Sequence, residues 1–116
     1  MLSVSEKLLI WLGDARETIT SFPDDVARIA GFQIWRVQRG LEPNDWKPMS
    51  SVGLGVQEIR IRTGAEHRVL YVAKFAGAVY VLHAFEKRTR QAPKADLDPA
   101  MRRLRALISQ RTRRKE

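Results

Sequence analysis

Apolar residues follow first a helical and then a strand-like pattern along the chain. The segment KLLIWLG at residues 7–13 is a short apolar run, which predicts a buried first strand. Asp14 can then cap a short helix over residues 15–21. The next apolar positions recur every three or four residues, as on one helix face: Val26, Ala30, Ile34, Val37 and Leu41. Pro23 and the two acidic residues after it mark the start of this second helix, and Gly40 marks its end.

Three strand-like runs follow a connector at residues 42–54, which contains two prolines. They cover residues 56–62, 68–75 and 78–85. Short Gly-containing turns separate them, and this spacing is typical of an antiparallel meander. A last helix is predicted after Pro93, with Asp96 or Asp98 as its cap. Its apolar positions are Met101, Leu104, Leu107 and Ile108.

These elements together predict a single domain over residues 1–116, with residues 111–116 as a flexible basic tail. The predicted class is α+β, with a four-stranded sheet that is mainly antiparallel, two N-terminal helices and one C-terminal helix. We expect the helices to cover one face of the sheet and to leave the other face open.

Charge changes this picture from a generic small domain to one with an anionic partner. The chain has 21 Lys and Arg against 13 Asp and Glu, a net charge of +8. Residues 56–116 carry this excess, with 15 basic and 6 acidic side chains. Such an asymmetry favours nucleic acid before a membrane surface as the partner, and simple solubility is the alternative explanation.

Several other classes of protein do not fit the sequence. The chain has no cysteine, which excludes disulfides and thiolate chemistry and suits a reducing compartment. The longest apolar run, residues 75–82, is far shorter than the roughly 20 residues that span a bilayer. The N-terminus lacks the pattern of a secretory signal. We therefore expect a cytoplasmic protein with no membrane partner.

Arginines alternate with isoleucines in the first strand of the meander. The two isoleucines point to one face of the sheet, and Glu58, Arg60 and Arg62 point to the other. Arg68 on the next strand joins that face if the turn has an odd number of residues, and we expect it to pair with Arg62. Glu58 can neutralise only one guanidinium. Because guanidinium groups match phosphate oxygens, the face predicts a phosphate site, with a solvated strand face as the alternative.

A second cationic cluster follows the last strand. Phe85 ends that strand, and the basic residues after it are Lys87, Arg88, Arg90 and Lys94. An aromatic ring beside cations can stack on a base while the cations hold the RNA backbone. The alternative is a core phenylalanine followed by a soluble loop.

His67 and His83 are the candidates for proton transfer. A histidine in an apolar strand, such as His83, is more often a hydrogen-bonded core residue, and His67 faces away from its neighbour Arg68. Two histidines without cysteine make no convincing metal site, so we predict neither a metal nor a cofactor. RNA cleavage needs neither, because the 2′-hydroxyl is the nucleophile, arginine can stabilise the phosphate charge and lysine can move protons.

Three motifs occur in order at residues 55–60, 67–71 and 82–93: GVQEIR, HRVLY and LHAFEKRTRQAP. They resemble motifs of the HigB-like, phage-derived branch of the RelE/ParE toxin superfamily, namely a Gly-Val-x-Glu-Leu-Arg strand, a Tyr/His-Arg-Val-x-Tyr strand and a Leu-His-Ala-Phe-x-Lys-Lys-Thr-x-x-x-Pro strand end. The segment DWKPM at residues 45–49 also resembles this family.

The resemblance implies a RelE-like fold and a ribosome-dependent endoribonuclease that cuts mRNA in the A site of the small ribosomal subunit. It also implies a HigA-like helix-turn-helix antitoxin, through which the toxin–antitoxin complex would bind operator DNA. Carried over by motif, the catalytic positions are Arg60, Arg68, Phe85 and Lys87. The supporting RNA-binding positions are Arg62 and Arg88, and the cationic cluster after the last strand adds Arg90 and Lys94.

One departure from the family pattern affects the chemistry. Arg88 stands where the family often has a second lysine, and arginine does not exchange protons near neutral pH. Proton transfer would then fall to Lys87, Lys94 or a histidine. Two other functions stay open, because fold alone does not separate them. One is a non-catalytic toxin of the same fold directed at DNA gyrase or another nucleic-acid-associated target. The other is a regulator that acts only with its partner on operator DNA.

Overall fold

The computed structural model describes residues 6–115, which form three helices and five strands. The strands are β1 (Leu8–Trp11), β2 (Trp46–Pro48), β3 (Val56–Arg62), β4 (Glu66–Val72) and β5 (Ala78–Lys87). The helices are α1 (Ala15–Ser21), α2 (Asp24–Gln38) and α3 (Lys94–Lys115). The predicted α+β class and the three helices are confirmed. Helix α3 includes residues 111–115, where the sequence pattern predicted a flexible tail.

The sheet has the strand order β1-β5-β4-β3-β2 and is mixed, so the predicted count of four strands is wrong. Strand β1 is parallel to β5, and the other neighbours are antiparallel. The strand missed by the sequence pattern is β2, which lies within the proline-containing connector and pairs Trp46 with Ile59. Pro48 is tolerated there because an edge strand leaves one row of backbone groups unpaired.

Both faces of the sheet carry helices, so the expectation of one open face is wrong. Helices α1 and α2 pack on the face that presents Ile59, Ile61 and Tyr71. Helix α3 packs on the other face, mainly along β5, through the buried residues Ala100, Leu104 and Leu107. Strand β5 is buried from Ala78 to Phe85, as a strand covered on both faces must be. The ends of β3, β4 and β5 beyond α3 are left for a site.

A bulge in β5 determines which residues share the α3 face. Tyr71 pairs with Val81 but Leu70 pairs with His83, so Leu82 is an extra residue in the ladder. Strict alternation from Val81 would place Phe85 on the face of α1 and α2. The bulge instead moves Phe85 to the α3 face, opposite Arg68.

The predicted helix caps have other roles in the structure. Asp14 occupies the N-cap position of α1 but makes no side-chain bond to the helix backbone, and its carboxylate accepts a hydrogen bond from Arg103 at 2.9 Å. Helix α3 begins at Lys94, before both predicted caps, and Asp96 contacts His83 instead. Among the helices within residues 6–115, none is long and apolar enough to cross a membrane.

Candidate functional site

Three candidate side chains lie in register across the centre of the sheet. Arg60 on β3 pairs with Arg68 on β4, and Arg68 pairs with Phe85 on β5. The expected common face of Arg60 and Arg68 is therefore present. The expected partner was wrong: the turn at residues 63–65 closes with Arg62 opposite Glu66, which shifts the arginine pair from Arg62 to Arg60.

Carboxylates interleave with all three arginines of this face. Glu58 Oε1 lies 3.4 Å from the Nε atoms of both Arg60 and Arg68, so it serves two guanidiniums and not the predicted one. Glu66 lies 3.4 Å from Arg68 and from Arg62, and Asp45 lies 3.6 Å from Arg62. These internal ion pairs offset much of the repulsion between the three guanidinium groups without an external anion.

Burial separates Arg68 from the other two arginines. Its side chain is 3% exposed, whereas those of Arg60 and Arg62 are 24% and 54% exposed. The Arg68 guanidinium, with a smaller effect from Arg62, holds the pKa of Glu66 below its usual value. Arg68 therefore has little surface for an RNA phosphate, and its contacts with Glu58 and Glu66 fit a role in positioning those carboxylates.

A cavity of about 310 Å³ lies next to this network on the α3 face. Glu58 forms part of its wall although the side chain is only 2% exposed overall. Lys47, Lys87 and Arg90 also line the cavity, and Lys47 lies directly opposite Glu58 in the register of β2 and β3. The arrangement combines one carboxylate with three cations from separate elements. A carboxylate can accept a proton, and cations around it can hold a phosphate.

The basic residues after β5 do not all belong to this cavity. Lys87 Nζ donates to the carbonyl oxygens of Thr89 and Arg90, both at 2.8 Å, and so orders the loop that carries Arg90. Arg88 instead donates to Glu86 at 3.0 Å, and this hydrogen bond holds the pKa of Glu86 below its usual value. Lys94 is exposed at the start of α3 and is not part of the cavity wall.

Phe85 and His83 lie in the core on the α3 side. Phe85 is buried in the cluster beneath α3, and its ring stacks on His83 with centroids 5.8 Å apart. It has no free face for a base, so the alternative of a core phenylalanine fits the geometry. His83 Nε2 lies 2.9 Å from Asp96 and Nδ1 lies 3.3 Å from an Arg103 nitrogen. Both ring nitrogens are occupied, and the pattern suits the tautomer with its hydrogen on Nε2.

His67 lies on the opposite face of the sheet from the cavity. Its ring packs against Phe22 with centroids 4.5 Å apart, and the residue is buried. Its neighbour Arg68 points to the cavity side because successive strand residues alternate. His67 is therefore placed away from the other candidate residues.

Glu58 and Lys47 are members of the cavity wall that the sequence-based site lacked. The alternation of β3 predicts Glu58 beside Arg60, where a carboxylate is expected as a counter-ion and not as a base. No comparable signal existed for Lys47, because its face follows from the edge strand β2. Among the described residues, no cluster of His, Cys, Asp and Glu suits a metal ion.

The fold and the cavity define a small α+β protein with a cationic site built around one buried carboxylate. The family model described as "Phage derived protein Gp49-like (DUF891)" matches residues 17–105, well over half of the chain. The chain belongs to this family, which is associated with RelE- and HigB-like toxins. The matched region includes every element from α2 to β5 and the first half of α3. The search among curated proteins found no match.

Proposed function

We propose that this chain is the toxin of a type II toxin–antitoxin module and a metal-independent endoribonuclease that cleaves mRNA on the ribosome. The observation that carries the proposal is the Glu58 carboxylate in a cavity shared with Lys47, Lys87 and Arg90. Membership of the Gp49-like family, which is consistent with a toxin–antitoxin toxin, supports the same interpretation. The partners in this proposal are mRNA in the ribosomal A site and a HigA-like helix-turn-helix antitoxin, which would carry the complex to operator DNA.

The first chemical step uses the carboxylate as a base. An RNA phosphate enters the cavity between Lys47, Lys87 and Arg90, and Glu58 removes the proton of the adjacent 2′-hydroxyl. The closest contacts of Glu58 with both arginines involve Oε1, which leaves Oε2 to receive that proton. Arg60 and Arg68 fix the orientation of the carboxylate. A general base that is held in the correct orientation toward the 2′-hydroxyl removes its proton more effectively.

The second step breaks the bond to the 5′-oxygen. The 2′-oxygen attacks phosphorus, and the cations stabilise the charge that develops on the non-bridging oxygens. Two N–H bonds of Lys87 are donated to carbonyl groups of its loop, and the third can reach the substrate. Lys87 supplies a proton to the leaving 5′-oxygen, which gives a 2′,3′-cyclic phosphate and a free 5′-hydroxyl. Arg60, the partly exposed arginine of the network, is the further phosphate contact.

A second candidate function is a non-catalytic toxin of the same fold, directed at DNA gyrase or another nucleic-acid-associated target. The observation that favours it is the internal pairing of Arg60, Arg62 and Arg68 with carboxylates. A network of that kind needs no substrate to be stable. The two functions differ in whether RNA is cut, so RNA ends decide between them.

The test is a short induction of the chain in growing bacteria, followed by mapping of RNA 5′ ends. We expect new ends inside translated regions for the wild type, and their loss when translation is blocked or when Glu58→Gln replaces the base. Glu17→Gln, an exposed change on α1, is the matched control and should cut like the wild type. Arrest of growth with intact mRNA and altered DNA supercoiling would favour the gyrase-directed function instead.

A further inference from the structure

The outward side of α3 carries a stripe of basic residues that the cavity does not use. Six residues of α3 lie three or four positions apart and therefore share this outward helix face. They are Lys94, Asp98, Arg102, Arg105, Ser109 and Arg113. The three arginines are exposed, and Asp98 is the single acid among the six. We call Arg102, Arg105 and Arg113 the α3 arginine stripe.

Internal contacts do not account for the stripe. Within residues 6–115, none of its three arginines forms an ion pair. The arginines on the inner side of the same helix are engaged: Arg103 contacts Asp14 and His83, and Arg111 lies 4.0 Å over the Phe75 ring. The helix therefore uses some arginines to pack and leaves others directed at solvent.

The chemistry of the stripe fits a phosphate backbone better than a protein surface. Protein interfaces are anchored by buried aromatic or aliphatic side chains, and none occurs among the six positions. The outer face of α2 shows the contrast, because Phe32 and Trp35 are 50% and 40% exposed there. Arginine forks bind phosphate oxygens without reading the base sequence. Along about 16 Å of helix from Arg102 to Arg113, several phosphates of an RNA helix can be contacted.

We propose that the α3 arginine stripe docks the protein on the phosphate backbone of folded ribosomal RNA. This inference rests on the proposed function, since it names the surface through which a ribosome-dependent nuclease would be held. The first turns of α3 also contribute Leu97 to the cavity wall. One rigid helix therefore joins the docking surface to the site, so docking through the stripe fixes the direction in which the cavity faces.

The experiment compares two double charge reversals in the full-length protein. Arg102→Glu with Arg105→Glu removes the centre of the stripe, and Arg16→Glu with Arg28→Glu makes the same change of net charge on exposed arginines of α1 and α2. Glutamate and arginine have similar helix propensity, so both variants should keep the fold, which circular dichroism checks. Binding to purified 70S ribosomes without mRNA is measured at salt concentrations from about 50 to about 200 mM, because contacts with phosphates weaken strongly over this range.

We expect the stripe variant to bind ribosomes about tenfold or more weakly, and its slope of log affinity against log salt to fall by roughly two, one for each lost phosphate contact. The α1–α2 variant should retain affinity within about threefold, because its charges lie on the other side of the sheet. Equal weakening of both variants would overturn the proposal in favour of non-specific net charge. Unchanged binding of the stripe variant would also overturn it and leave an acidic protein as the occupant.

This measurement is independent of cleavage. If the 5′-end mapping shows no cut mRNA but the stripe variant alone loses ribosome affinity, the result contradicts the proposed nuclease activity and supports the proposed docking surface. If mRNA is cut and both double variants bind and cut like the wild type, the result supports the proposed nuclease activity and contradicts the proposed docking surface.

Discussion

Glu58 Oε1 lies 3.4 Å from Arg68 Nε, and the two side chains are 2% and 3% exposed. Without Arg68, the buried Glu58 carboxylate keeps the contact with the partly exposed Arg60 and loses its buried cation, so its charge is poorly compensated in a medium of low polarity. We therefore expect Arg68→Met to lower the free energy of unfolding by roughly 3–5 kcal/mol. Urea denaturation of the purified protein measures this loss.

Arg62→Met is the matched control for that prediction. Arg62 is half exposed and pairs with Asp45 and Glu66 at the surface, so its removal should cost less than about 1 kcal/mol. Equal losses of unfolding free energy for the two variants would mean that the buried ion pair stabilises the fold no more than the surface ion pairs do. Arg68→Lys should recover only part of the stability, because an ammonium cannot contact both carboxylates as a guanidinium fork does.

In the proposed mechanism, Lys87 supplies the proton to the leaving oxygen. We expect Lys87→Met to slow cleavage of ribosome-bound mRNA by about 10²–10⁴-fold, the usual contribution of a general acid. Arg88→Met is the matched control, since Arg88 pairs with Glu86 and does not line the cavity. Single-turnover cleavage by the two purified variants makes the comparison. Similar slowing by both would assign the effect to the basic loop as a whole.

His83 is expected to act through the fold and not through proton transfer. Its ring nitrogens contact Asp96 and Arg103, which join β5 to α3. We expect His83→Gln to reduce stability by roughly 1–3 kcal/mol, the cost of buried polar groups left without partners. The folded fraction should cleave at nearly the wild-type rate with an unchanged pH profile. Loss of cleavage at wild-type thermal stability, or a shifted pH profile, would place the histidine in the chemistry.

The lowered pKa of Glu66 predicts how the stability of the fold changes in acid. Arg68 is the main cause of this lowering in the folded protein. The ion pairs of Glu66 therefore stabilise the fold at any pH above the pKa that Glu66 has in the unfolded chain. That contribution is lost as pH falls through the lowered folded pKa. We expect the melting temperatures of wild type and Glu66→Gln to differ at pH 7 and to converge in strong acid. The exposed change Glu17→Gln reports the general effect of removing a carboxylate, and a Glu66 difference that persists in acid would contradict the prediction.

The helices and four of the five described strands could be predicted because their apolar patterns are strong and local. The apolar spacing of α2 and the alternation of β3 follow from packing one side of an element against a core. The edge strand β2 could not be predicted, because three residues with a proline carry no periodic signal of their own. Its pairing depends on β3 being present, which is a tertiary effect.

The composition of the site was partly predictable from sequence, but its geometry was not. Arg60 and Arg68 were placed on one face by alternation and an odd-numbered turn. The position of Phe85 opposite Arg68 depends on the extra residue Leu82, and the alternation pattern of β5 gives no sign of it. The burial of Arg68 and the double use of Glu58 follow from packing of three strands, which the charges of one strand do not reveal.

The parallel pairing of β1 with β5 has a consequence for how the protein is made. Leu8 pairs with Ala78, so β1 has no neighbouring strand until β5, the last of the five described strands, has been synthesised. Contacts so distant in sequence form slowly and late, because a long loop must close first. A nascent chain that has emerged only as far as β4 has neither a closed sheet nor the cationic loop after β5. The sheet and the cavity beside it are therefore not complete until β5 and the loop after it have been synthesised.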